Sequence, residues 1–324
     1  MKKTTEIEKC IHCGQCTRAC VFLTKYRLDI SNTERLNELA YHCFLCGRCS
    51  EVCPKGIDGR EVILNLRRQQ VEDNGGKLKE NGYAMLVAEK GDYKFRNYKN
   101  QTSKSVLFPG CNFPSFFPET TQDLCGWLKQ EKGIGVIFDC CGKPISELGL
   151  EREENRIIAG IEKRLKAAGI EEVIMLCPNC YAFLKPRLSV RVVSIYTKLK
   201  EWGTGNQIQE DIQIFPPCPD REEGELLEQI KMFLDGSLTI LEGQCCGLGG
   251  CAGRKEPELA EKMVSKISEK EKVYTYCASC SGNFFRKGYE GTEHILLRIL
   301  DRTEKPDVKK SMINRMKMKY YREG

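Results

Sequence analysis

The chain has 324 residues, enough for two or three domains with cores of their own, and its formal charge of +6 is gathered at one end. From Arg302 onward eight Lys/Arg stand against three Asp/Glu, so the rest is close to neutral. A nucleic-acid partner would need basic residues woven into a recognition motif, and a membrane span roughly twenty apolar residues in a row; the sequence has neither.

Twenty cysteines are far above ordinary usage. A disulfide scaffold is one explanation, but it belongs to small secreted chains, and Met1-Lys2-Lys3-Thr4-Thr5-Glu6 has no apolar signal core. The expected setting is therefore a reducing, oxygen-poor cytoplasm. The cysteines also sort cleanly: eight lie within residues 10–53, ten in two later sets, and only Cys125 and Cys251 are left over.

In chain order, Cys10-Ile11-His12-Cys13-Gly14-Gln15-Cys16-Thr17-Arg18-Ala19-Cys20 has the spacing C-x2-C-x2-C-x3-C. Cys43-Phe44-Leu45-Cys46-Gly47-Arg48-Cys49-Ser50-Glu51-Val52-Cys53-Pro54 repeats it with the closing proline, for which the first run has Val21. This is the two-cluster ferredoxin run, in which the fourth cysteine of each motif serves the other cluster. Cys10, Cys13, Cys16 and Cys53 are thus expected at one [4Fe-4S] cluster and Cys43, Cys46, Cys49 and Cys20 at a second. Zinc sites are the alternative, but zinc takes ligands in two pairs and leaves the third cysteine without use.

The spacer 24–41 carries Leu28, Ile30, Leu36, Leu39 and Ala40 at helical intervals, and residues 58–73 continue as an amphipathic helix through Val62, Ile63, Leu64 and Leu66. An α-helical ferredoxin domain over 1–73 follows. The polar stretch 74–104 is expected as a linker.

From Ser105 short apolar runs end repeatedly at a cysteine. Val106-Leu107-Phe108 precedes Cys111, Val136-Ile137-Phe138 precedes Cys140, and Val173-Ile174-Met175-Leu176 precedes Cys177. Ile212–Phe215, Thr239-Ile240-Leu241 and Val273-Tyr274-Thr275-Tyr276 do the same for Cys218, Cys245 and Cys277, while Val192-Val193-Ser194-Ile195 is an extra strand. Helix-like segments at 117–129, 152–168, 223–234, 257–268 and 291–300 alternate with them. Alternating strand and helix predicts α/β units with parallel sheets and ligands at the carboxyl ends of the strands.

The cysteines form two sets in one order: Cys111, Cys140-Cys141-Gly142, Cys177-x-x-Cys180, then Cys218, Cys245-Cys246-Gly247, Cys277-x-x-Cys280. Matching positions are offset by 107, 105, 100 and 100 residues, the mark of a duplicated unit. Adjacent cysteines are awkward as a disulfide but suit a metal cluster needing two sulfurs from one direction. Expected domains are 105–205 and 206–301, followed by a basic tail over 302–324.

Weaker features take plain explanations. Pro109-Gly110 and Pro178 are turn formers, and Gly247, Gly249 and Gly250 lack the Lys-Ser/Thr of a phosphate loop. His12 and His42 are expected beside ligands rather than among them, His294 as a satisfied structural histidine, and Cys125 as a buried thiol. Cys251, just past the second pair, is left open. The tail, with Met312, Ile313, Met316 and Met318 between basic residues, reads as a solvated helix or as a contact for an acidic partner or membrane surface.

Over residues 8–290 the sequence resembles the heterodisulfide reductase family, in the D-type arrangement that fuses the C-type ferredoxin and B-type cysteine-rich polypeptides into one chain. The same architecture occurs in iron–sulfur subunits of anaerobic glycerol-3-phosphate, glycolate and lactate oxidation systems. Cys140-Cys141-Gly142-Lys143-Pro144 and Cys245-Cys246-Gly247-Leu248-Gly249-Gly250 match the family's two signatures. The resemblance implies one or two further [4Fe-4S] clusters, of noncubane type. Cys111, Cys140, Cys141, Cys177 and Cys180 would hold one, and Cys218, Cys245, Cys246, Cys277 and Cys280 the other, with a disulfide reduced between them. It also implies a flavoprotein or ferredoxin as electron partner; the alternatives are a non-catalytic electron-transfer subunit serving a flavin dehydrogenase and quinone or ferredoxin, and a zinc-stabilised binding module. One departure stands out: Phe215-Pro216-Pro217-Cys218 replaces the family's His-Asp-Pro-Cys, which removes a proton donor but no ligand.

Overall fold

Short apolar runs flanked by amphipathic stretches give nine strands among the described residues, all in one of two compact units of the computed structural model. Residues 4–268 and 270–322 are described; Met1–Lys3 of the charged N-terminus and Glu323 and Gly324 of the tail lie outside them.

The first unit comprises Met1–Ala88, Pro144–Glu154 and Gly243–Ile267. Its ferredoxin-type portion consists of short helices, Gln15–Ala19, Val21–Tyr26, Thr33–Glu38 and Arg48–Glu51, and the longer Gly59–Asp73. An isolated bridge between Thr4 and Ile57 is its one β feature among the described residues. Asp58 caps the long helix by accepting the N–H groups of Arg60 and Glu61. The buried stripe of that helix differs from expectation: Leu66 is only half-buried, and Arg67 is wholly buried beside Val62, Ile63, Leu64 and Val71. The segment Gly243–Ile267, inside the expected second repeat, groups with this unit.

A buried carboxylate also fixes the first unit. Glu256, 1% exposed, accepts from Lys25 Nζ, Tyr26 Oη and His42 Nδ1, each at 2.6 Å. Burial alone would raise its pKa, but the hydrogen bonds from Lys25, Tyr26 and His42 outweigh it and hold the pKa below the ordinary 4.5. A folded-state pKa below the unfolded one contributes stability above pH 4.5 that is lost as pH falls through the folded value. Thermal melts from about pH 7 down to about pH 3 should therefore show a steep acid limb that Glu256→Gln flattens; parallel limbs would refute this.

The second unit holds two sheets. The first, in strand order β1-β3-β2-β4-β5, contains β1 (Asn97–Asn100), β2 (Ser105–Phe108), β3 (Gly135–Phe138), β4 (Glu172–Met175) and β5 (Arg191–Ser194). The second, in order β7-β6-β8-β9, contains β6 (Ile212–Phe215), β7 (Leu238–Ile240), β8 (Val273–Thr275) and β9 (Thr292–His294). All pairings are parallel except β1 with β3. In β2, β3 and β4 nearly every side chain is buried, as in a parallel sheet covered on both faces.

Three segments depart from the sequence reading. The stretch 74–104 is not bare linker: it carries the helix Ala84–Lys90 and β1, whose polar residues conceal a strand. Asn97 and Asn100 are buried because their Nδ2 groups donate to the carbonyls of Met318 and Tyr321. The tail is correspondingly docked rather than solvated. Its helix Ser311–Tyr320 buries Asn314, which donates to Ser115 O (3.1 Å) and Asp307 Oδ2 (2.9 Å), and Met318. Finally, the expected helix 291–300 splits into β9 and a helix Ile295–Ile299 capped by His294, whose Nδ1 accepts Leu296 N–H. His294 Nε2 has no hydrogen-bond partner among the described residues, so this histidine is not fully satisfied; burial lowers its pKa to about 4 and keeps it neutral.

Candidate metal centres

Each ferredoxin-type motif is a tight turn leading into a short helix. His12 (φ 49°) and Gly14 (φ 69°) in the first are left-handed, as are Leu45 (φ 48°) and Gly47 (φ 80°) at matching positions in the second. Left-handed backbone at a non-glycine costs on the order of 1 kcal/mol or more. Here it aims N–H groups at sulfur: His12 N–H donates to Cys10 Sγ and Leu45 N–H to Cys43 Sγ, both at 3.4 Å. Ile57 N–H donates likewise to Cys53 Sγ at 3.4 Å.

Cys10, Cys13, Cys16 and Cys53 line one pocket with Ile11, His12, Asp29 and Ile30. Cys13 and Ile11 on its rim are exposed. His12 Nδ1 is held by Asp29 Oδ2 at 2.9 Å. Cys20, Cys43, Cys46 and Cys49 form a second, more buried group. Burial, and then the nearby thiols of Cys43, Cys46 and Cys20, push Cys49 far up; burial and then Cys43 raise Cys20 to about 11. Thiols that resist ionising beside one another are relieved by a polycationic core. The donor sets fit four-iron clusters: four sulfurs each, with backbone N–H groups already directed at them.

In the second unit the cysteines follow the carboxyl ends of strands, where an α/β sheet leaves its ligand crevice. Cys177 precedes the helix Pro178–Leu184 and Cys277 the helix Ala278–Arg286, so Cys180 and Cys280 fall in first turns, and their backbone N–H groups donate to the sulfurs of Cys177 and Cys277. Side-chain hydrogen bonds link the first set in series: Cys111 to Cys140, Cys140 to Cys141, Cys141 to Cys180, and Cys180 to Cys177. Hydrogen bonds from Cys140 and Cys180 hold the Cys141 thiol below its ordinary value, against the burial that would raise it. Gly110 (φ 73°) lets the chain through, since a Cβ there would lie 2.9 Å from Cys180 Sγ; this is closer than the turn chemistry read from Pro109-Gly110 requires.

The chain of thiols continues from Cys177 to Cys277, the matching positions of the two repeats. Cys277 is also hydrogen-bonded to Cys280, and Asn179 Nδ2 donates to its Sγ at 3.5 Å. Asn112 Nδ2 donates to Ser279 Oγ at 2.6 Å. Cys218 is half-buried, with Arg221 Nη2 3.8 Å from its Sγ. Cys245 and Cys246, the remaining members of the second set, belong to the first unit and are buried.

Three residues near these sulfurs carry no motif. Lys90, 4% exposed, lies 4.7 Å over the Tyr93 ring and pairs with Glu89 at 2.9 Å. Burial would lower its pKa, but Cys111 and Cys140 beside it raise it, so the cation stands next to the first set. Gln244, immediately before the cysteine pair, donates from Nε2 to Cys20 Sγ (3.4 Å) and Cys46 Sγ (3.8 Å). Arg67 donates to the carbonyls of Ala40, Cys43, Glu147 and Gly250. The loop it grips must come close: a Cβ on Gly250 would lie 2.5 Å from Cys43 O, and one on Gly249 2.5 Å from Phe44 O. Adjacency to the pair was the only signal for Gln244, and Lys90 and Arg67 had none.

Residues 6–57 match the 4Fe-4S dicluster domain, and residues 105–185 and 212–285 each match the cysteine-rich domain. The chain belongs to the iron–sulfur proteins that join these two domain types. Among relatives, a polypeptide of the fumarate reductase (CoM/CoB) of Methanothermobacter marburgensis is 27% identical over 86% of this chain and 67% of its own length. The glycolate oxidase iron–sulfur subunit of Escherichia coli is 23% identical over 89% of this chain and 92% of its own. A polypeptide of the ferredoxin:CoB-CoM heterodisulfide reductase of Methanosarcina mazei is 26% identical over 38% of this chain and 84% of its own. A glutamate racemase from Bacillus anthracis overlaps 60% of the chain at a TM-score of 0.34 and 11% identity, too weak to bear on function. These matches make the chain an iron–sulfur electron-transfer protein related to heterodisulfide reductase components.

Proposed function

We propose that the chain is a heterodisulfide-reductase-like oxidoreductase acting on a disulfide or a similar two-electron acceptor at its cysteine-rich repeats. Cys10, Cys13, Cys16 and Cys53 would hold one [4Fe-4S] cluster, and Cys43, Cys46, Cys49 and Cys20 a second. Cys111, Cys140, Cys141, Cys177 and Cys180 would hold a third, and Cys218, Cys245, Cys246, Cys277 and Cys280 a fourth, the last two noncubane. When bound, such clusters supply one-electron transfer; a disulfide takes two electrons and two protons to give two thiols.

The observation that carries this reading is the contact of Cys177 with Cys277, which makes sulfurs of both repeats neighbours. Five cysteines in the first set exceed the four that a cubane needs. Their burial excludes water, and Lys90 offsets the negative charge that thiolates bring.

The test is anaerobic iron analysis and turnover with a small alkyl disulfide under reduced viologen. About sixteen irons per chain and disulfide-dependent viologen oxidation are expected. About eight irons with no oxidation would refute the reading. A second reading, an electron-transfer component for a separate flavin dehydrogenase, is favoured by the nearly end-to-end match to the glycolate oxidase protein. It predicts electron uptake only from a flavoprotein, for which exposed Cys13 and Ile11 form an accessible rim.

Among the described residues no helix is long and apolar enough to cross a membrane. The terminal helix nevertheless exposes Met312, Ile313, Met316 and Tyr320 on the side away from buried Asn314 and Met318. Lys309, Lys310, Lys317 and Lys319 surround this face, and we assign it to an anionic lipid surface. Flotation with phosphatidylserine vesicles should fall roughly 30-fold in Lys317→Gln/Lys319→Gln, taking about 1 kcal/mol per lysine. Equal binding to neutral vesicles would refute the assignment.

A further inference from the structure

Between the second ferredoxin-type motif and the Cys245-Cys246 pair stands the side chain of Gln244. Val21 N–H donates to Gln244 Oε1 at 2.9 Å, which fixes the amide's orientation, since a backbone N–H must meet the oxygen. The NH2 end then reaches Cys20 Sγ at 3.4 Å and Cys46 Sγ at 3.8 Å, one sulfur from each motif. Both belong to the four-thiol group with Cys43 and Cys49. The next residue is Cys245, 1% exposed, whose Sγ accepts Gly247 N–H at 3.3 Å. The side chain is therefore held at three points while its backbone enters the second cysteine pair.

We propose that Gln244 tunes the second ferredoxin-type site and positions it against the segment bearing Cys245. An N–H dipole aimed at a ligand sulfur stabilises the reduced, more negative state over the oxidised one, so it raises the reduction potential. The first site receives backbone donors from His12 and Ile57, and the second a backbone donor from Leu45; Gln244 adds side-chain donors to the second. Reducing equivalents are thereby favoured at the site that Gln244 ties by hydrogen bonds to the segment bearing the cysteine pair. The inference rests on the assignment of Cys20, Cys43, Cys46 and Cys49 to a cluster.

The test is an EPR-monitored redox titration of the full chain and of Gln244→Glu and Gln244→Leu, with iron content measured on each. Glutamate keeps the acceptor for Val21 N–H but places a negative charge where the donor stood; leucine removes both. One of the two ferredoxin-type waves should move to lower potential, further for Gln244→Glu than for Gln244→Leu, with the other wave and the iron content unchanged. Both waves unmoved, both moving together, or the reverse order would overturn the proposal. Should Gln244→Leu lose iron, the near-isosteric Gln244→Glu decides, and iron loss in both would make Gln244 merely structural and overturn it. Absence of ferredoxin-type waves from the unsubstituted protein would instead overturn the cluster assignment, an outcome distinct from waves that fail to shift.

Discussion

Cys141→Ser is expected to strip one complete cluster from the chain. Cys141 is the middle sulfur of its set, hydrogen-bonded to Cys140 and Cys180, and its thiol is held below its ordinary value. It is thus the member of its set whose thiol ionises most readily to bind metal, and serine is a far poorer ligand. Iron should fall by about four atoms per chain and visible absorbance by about a quarter, with both ferredoxin-type EPR signals retained. Cys125→Ser, in the helix Pro118–Lys132 and outside both sets, serves as the comparison and should leave iron unchanged. Equal iron in the two variants would remove the first set from the metal sites.

The second large effect is expected from Arg67→Met. The guanidinium is wholly buried and satisfies four carbonyls, those of Ala40, Cys43, Glu147 and Gly250. It also stacks over the Tyr41 ring at 4.8 Å. Methionine keeps some of the volume and none of the donors, and each buried carbonyl left unpaired costs about 1 kcal/mol or more. Ala40 O keeps the Cys43 N–H, so a loss on the order of 3 kcal/mol corresponds to a melting temperature lower by roughly 10 °C. Cluster absorbance followed during a thermal ramp would report it, and a drop below about 2 °C would mean that water enters and replaces the donors.

What the sequence disclosed was whatever chemistry ties to fixed spacing. The C-x2-C-x2-C-x3-C runs and the duplicated Cys-Cys-Gly sets stood out because several sulfurs must reach one metal core from consecutive turns. Strands β2 to β4 were legible because a sheet covered on both faces needs unbroken apolar runs. The illegible parts depend on partners far along the chain. β1 reads as polar linker until the carbonyls of Met318 and Tyr321 are seen to engage Asn97 and Asn100. Arg67 looks like a solvated helix residue until Glu147 O and Gly250 O meet it. Regular repeat offsets implied two self-contained lobes, yet Gly249 and Gly250 bring the second cysteine pair against Phe44 and Cys43 in the first unit.

The discontinuity of the first unit has a consequence for biogenesis. Residues 1–88 leave the ribosome well before Glu147, Gln244 and Gly250, so the emerging ferredoxin-type segment lacks two of the four carbonyls that Arg67 meets and the side-chain donor for Cys20 and Cys46. Its thiols are synthesised first but receive their last structural contacts only after Gly250 has been added. Completion of the N-terminal unit is thereby tied to synthesis of the distal cysteine pair, and a chain interrupted before Gln244 would leave Arg67, Cys20 and Cys46 short of these partners.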